Sequence, residues 1–136
     1  MSTSNKKMTD EARIRDLIEA WARAVRAKNI DGIMALHAPD ILLFDVPPPV
    51  QSLGADAYRQ SWDQFFSWFG DSGVFEISDL NITAGDDVAY CHGLIRCGGS
   101  ETNGNKVELV VRLTVCYRKI DGQWMVMHEH HSLPST

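Results

Sequence analysis

The chain has 136 residues, 44% of them hydrophobic and 23% charged, with a net charge of -5 at neutral pH. That is enough for one globular core and too little for two. No Lys/Arg run offers a nucleic-acid footprint, no apolar stretch is long enough to span a bilayer, and Met1–Lys7 lacks the apolar segment of a signal peptide.

Residues 1–8 read as a disordered tail ahead of a single domain over 9–134. Thr9 is the expected N-cap of a first helix, with Asp10 and Glu11 where the helix dipole favours negative charge. Ile14, Leu17, Ile18, Trp21 and Val25 then recur at helical spacing. A shorter helix is predicted from Ile30 to Leu36, stopping before Pro39. Ile41-Leu42-Leu43-Phe44 reads as an apolar strand ending at Asp45, followed by the extended segment Pro47-Pro48-Pro49.

A third helix begins after Gly54, carries the aromatic stripe Tyr58, Trp62, Phe65, Phe66 and Phe69, and ends at Gly70. The remainder reads as strands over 75–83, 88–97 and 106–119, with a flexible turn over 98–105. A last strand follows Asp121-Gly122. Helices first and an antiparallel meander after them define an α+β fold. Cys91, Cys97 and Cys116 are odd in number and lack metal-ligand spacing, as expected of reduced thiols in a cytoplasmic protein.

Three segments carry a resemblance to the nuclear transport factor 2-like, or SnoaL-like, superfamily, which includes the ketosteroid isomerases. They are ALHAPDILLFDVPPPVQSLGADAYRQSW, DDVAYCHGLIR and RKIDGQWMVMHEHHSLP. The resemblance implies a cone: three N-terminal helices packed on a curved antiparallel (mixed) sheet that encloses a hydrophobic pocket for a small molecule. It also implies that no metal or other cofactor is needed. The last strand is most similar to uncharacterised SnoaL-like proteins reading Trp-x-Val-x-His-Glu-His-x-Ser.

Asp45, at the end of an apolar strand, falls by this resemblance where ketosteroid isomerases keep their proton-abstracting base. The alternative is a turn aspartate bonded to local amides. The isomerase's other parts are missing. Its helix-1 tyrosine falls on Trp21, and its oxyanion-hole acid falls near Thr114, so two strong donors for an oxyanion are lacking. In the similar association domain of calcium/calmodulin-dependent protein kinase II, pocket positions correspond to His92, His131, Tyr58 and Val115.

The superfamily pattern puts Met127, Glu129 and His131 of the last strand inside, and Trp124, Val126, His128 and His130 outside. That fits a three-residue Ile120-Asp121-Gly122 loop, whereas a two-residue turn brings Arg112 and Thr114 inside instead. Trp21, Tyr58, Trp62, Met127 and Glu129 are the expected substrate-binding residues.

These residues suggest a cofactor-independent isomerase, dehydratase or cyclase acting on a small, largely apolar molecule. Asp45 would be the base, with His92, His131 or Tyr58 as acid partner. The alternatives are a binding module without turnover, or an assembly domain. A homodimer through the outward sheet face is expected with any of them, because Trp124 there would otherwise stand in water.

Overall fold

A computed structural model describes residues 9–71 and 73–135, so the expected tail over 1–8 lies outside the described residues. Three helices, α1 (Asp10–Arg26), α2 (Ile30–Met34) and α3 (Ala55–Phe69), accompany six strands. These are β1 (His37–Phe44), β2 (Ser52–Leu53), β3 (Phe75–Ala84), β4 (Val88–Ser100), β5 (Lys106–Ile120) and β6 (Gln123–Ser132). The strands form one sheet in the order β2-β1-β6-β5-β4-β3. Only the β1–β6 pairing is parallel, which makes the sheet mixed.

α1 starts as its sequence dictates, with the Thr9 hydroxyl accepting from the Ala12 amide at 3.1 Å. Its buried face holds Ile14, Ile18, Trp21 and Val25, each worth roughly 1.5–3 kcal/mol of apolar burial. α2 is capped by Asn29 and ends at Met34, two residues sooner than its pattern suggested. Leu36 then takes a positive φ of 59° and its carbonyl accepts from the Val126 amide. That turn starts β1 at His37, four residues before the apolar run. Pro39 is tolerated because the β1–β6 register is broken between His37 and Leu42, where no ladder partner is required of it.

The β5–β6 hairpin departs from both registers considered above. Its turn is the two-residue Asp121-Gly122, both at positive φ (52° and 79°), with Ile120 paired to Gln123. That turn places Trp124 and Val126 on the inner face, 2% and 6% exposed. A bulge then follows: Tyr117 pairs with Val126 and Cys116 with His128, leaving Met127 as the extra residue. One extra residue reverses the parity of a strand. Glu129 and His131 therefore also point inward, opposite Val115 and Leu113, while Arg112 stays exposed.

Trp124 is thus a core residue, and its indole N–H donates to Asp10 at 3.1 Å. Buried in this way, Trp124 offers the outer sheet face no exposed indole for a dimer partner to cover. The outer sheet face instead exposes Val88, Tyr90 and Val110. Met127, expected inside, is a half-buried bulge residue.

Between β4 and β5 the ladder runs on through Gly99 to Ser100, beyond the expected end of the strand. Gly99 is required there: a Cβ at this position would stand 2.0 Å from the Trp68 ring. Among the described residues, no helix is long and apolar enough to cross a membrane, and all three cysteines are free, Cys91 and Cys97 buried.

Candidate functional site

The inner face of the sheet and α3 enclose a cavity of about 340 Å³. Trp62, Phe65 and Trp68 of α3, Phe75 of β3, and Ile95, Leu109 and Val111 of the sheet give it an apolar lining. The polar side chains in that lining are Asp45, Ser61, Gln64 and His131. Asp45 arrives because β1 ends at Phe44, and His131 because the Met127 bulge turned its strand face inward.

Asp45 and His131 meet: Nδ1 of the imidazole lies 3.4 Å from Asp45 Oδ1. Oδ1 also accepts from the Val46 amide at 2.8 Å, the local bond expected of a turn aspartate. The other ring nitrogen of His131, Nε2, donates to Glu129 Oε1 at 3.1 Å. The imidazole is thus flanked by a carboxylate at each nitrogen. Burial alone would push its pKa down, but the two carboxylates outweigh burial and raise it from 6.5 to about 9. At neutral pH this ring is an imidazolium.

Glu129 is 1% exposed and does not line the aromatic cavity. Its Oε2 accepts from His37 Nε2 at 2.8 Å and from the Tyr58 hydroxyl at 2.9 Å. Burial opposes its charge, yet the bonds from His131 and His37 overcome that and lower its pKa from 4.5 to about 2. The Tyr58 hydroxyl accepts in turn from Trp21 Nε1 at 3.0 Å. Burial first, then the Glu129 charge, holds the Tyr58 phenol well above its usual range, so it stays a neutral donor.

Several sequence expectations need correction here. Tyr58 is fully buried with its hydroxyl committed to Glu129, and Trp21 is committed to Tyr58. Neither lines the aromatic cavity, and neither does Met127 or Glu129. Trp21 and Glu129 border a separate void of about 60 Å³ behind the site, together with His37. His92 is exposed on the outer sheet face, away from the cavity. It shares that face with Arg96, which pairs there with Glu76 and Glu108. The buried face of β4 is formed by Ala89, Cys91, Ile95 and Cys97.

His37 is the functional residue that sequence reasoning missed. Its Nδ1 donates to the Ala35 carbonyl at 2.8 Å, its Nε2 faces Glu129, and its ring stacks on Tyr58 with centroids 4.9 Å apart. It lay in ALHAPD, a segment singled out by resemblance, but a strand beginning ahead of a proline gave no periodic signal.

A cone of three helices over a mixed six-stranded sheet is the architecture of the NTF2-like superfamily. Within it the chain belongs to the SnoaL-like domain family, which matches residues 14–136. An NTF2-like protein of unknown function from Pseudomonas putida is 38% identical, over 91% of this chain and 86% of that one, with a TM-score of 0.78. A ketosteroid isomerase-like protein from Erwinia carotovora is similar in fold, at 18% identity, 97% and 99% coverage and a TM-score of 0.77. An uncharacterised protein with a cystatin-like fold from Caulobacter vibrioides has a TM-score of 0.76 at 18% identity, over 90% of this chain and 87% of that one. No curated protein matches the chain.

Proposed function

We propose that this protein binds a small, largely apolar molecule in its aromatic cavity and moves a proton on it without a cofactor, as an isomerase, dehydratase or cyclase does. The observation that carries this reading is the Asp45–His131 pair, at 3.4 Å, set into an otherwise mostly apolar lining. Asp45 is the base, positioned by the Val46 amide and by the imidazolium. His131 is the acid partner: it holds its Nδ1 proton against Asp45 Oδ1 at the cavity wall, and Glu129 behind it fixes the ring. Two ionisable groups held side by side in a low-dielectric wall suit concerted proton delivery and removal.

The missing oxyanion donors separate this site from the ketosteroid isomerases. Thr114 is opposite His130 on the strand face away from the cavity. The reading therefore favours reactions that need one base and one acid, with His131 as the single donor for charge developing on oxygen, over those needing two strong oxyanion donors.

The test is α-proton exchange of a bicyclic ketone probe, 2-tetralone, in D₂O, followed by NMR. The wild-type protein should accelerate exchange, and Asp45→Asn should lose about 100-fold or more, the usual scale for a positioned base. Exchange equal to the buffer rate with wild-type protein contradicts the reading.

A further inference from the structure

We propose that the ligand of this cavity carries no negative charge and meets Asp45 through an O–H or N–H donor, as a hydroxylated or amine-bearing compound with an apolar body would. This deepens the reading above and rests on its claim that the cavity is a binding site.

Both nitrogens of His131 already face carboxylates, Nε2 on Glu129 and Nδ1 on Asp45 Oδ1. Asp45 Oδ1 is further occupied by the Val46 amide. Ser61 spends its hydroxyl proton on the Tyr58 carbonyl. The Trp62 indole N–H has no partner among the described residues, but that atom is sealed from any accessible surface. Gln64 is exposed, and its amide serves donors and acceptors alike.

What remains is Asp45 Oδ2. It has no hydrogen-bond partner among the described residues, on a side chain that is 23% exposed and lines the cavity. An ionised carboxylate oxygen only accepts, so the atom that completes this site must donate. An incoming carboxylate or phosphate would set a like charge against Asp45, and the one cation beside it, His131, is already shared between Asp45 and Glu129. The aromatic rings of Trp62, Phe65, Trp68 and Phe75 line the same space, and where a ring face is offered it attracts a cation and not an anion.

Three probes that share one ring system separate the possibilities: 2-naphthalenemethanol, 2-naphthylmethylamine and 2-naphthoate. Binding of each to the wild-type protein is measured by calorimetry at neutral pH. The alcohol and the amine should each bind at least about tenfold more tightly than the carboxylate. In Asp45→Asn, whose side chain offers an N–H, that preference should shrink or reverse. Naphthoate binding as tightly as the other two overturns the donor rule while leaving the cavity as a binding site. Failure of all three to bind overturns both.

Discussion

Glu129 Oε1 accepts from His131 Nε2 at 3.1 Å, two residues along the same strand and on the same inner face. The carboxylate is buried and the imidazole nearly so, and the other oxygen of Glu129 is held by His37 and Tyr58. One buried anion thus fixes the His131 ring so that its second nitrogen looks at Asp45. The row Asp45–His131–Glu129–His37 runs from the cavity wall into the core, and its members stand or fall together.

Replacing Glu129 by Gln keeps the shape and sets an amide N–H among groups that all donate. Removing one partner of a buried ion pair costs roughly 3–5 kcal/mol, and urea unfolding of Glu129→Gln should lose an amount in that range. A loss below about 1 kcal/mol, the level of an ordinary substitution, would show that the network is not holding the fold.

Stability should pass through a plateau in mildly acidic solution. His131 is raised from 6.5 to about 9, so its contribution is complete below 6.5 and is lost as pH climbs through 9. Glu129 is lowered from 4.5 to about 2, so its contribution is complete above 4.5 and is lost as pH falls through 2. Melting temperatures should be highest between 4.5 and 6.5 and fall on both sides, more steeply than in Glu129→Gln.

Tyr58→Phe removes the hydroxyl that accepts from Trp21 and donates to Glu129. A buried indole N–H left unsatisfied costs about 1–3 kcal/mol. Because Tyr58 does not line the cavity, naphthalenemethanol affinity should stay within a few-fold of wild type. Calorimetry and urea unfolding together check both halves.

Gly99→Ala places a methyl group against the Trp68 ring, whose nearest atom would lie at 2.0 Å. The ring must leave its place in the cavity wall. Tryptophan emission should shift and the naphthalenemethanol affinity should change, with unfolding weakened by about 1–3 kcal/mol, the usual cost of overpacking.

His92→Ala should do neither. The residue is exposed on the outer face, and such surface changes usually stay within about 0.5 kcal/mol. Unchanged exchange of 2-tetralone in this variant would separate His92 from the site.

The helices and most strand bounds were legible because burial repeats at helical or alternating spacing: Ile14, Ile18, Trp21 and Val25 on α1, or Leu113, Val115 and Tyr117 on β5. Asp45 and His131 were legible as polar residues placed by the superfamily pattern at strand ends. Trp124, Val126 and Met127 were misplaced because a bulge leaves no mark on the alternation of residue types on either side of it. The partners of Glu129 were hidden for a different reason. His37, Tyr58 and Glu129 are brought together from β1, α3 and β6, and a network across 92 residues of separation has no local periodicity to read.

The most direct test is a ring-nitrogen NMR titration of His131, in wild type and in Asp45→Asn. With a carboxylate at each nitrogen, the wild-type ring should remain an imidazolium through neutral pH and lose its proton near pH 9, and at lower pH in Asp45→Asn. A wild-type ring that titrates near its usual 6.5, unmoved by Asp45→Asn, would contradict the arrangement on which the proposed chemistry depends.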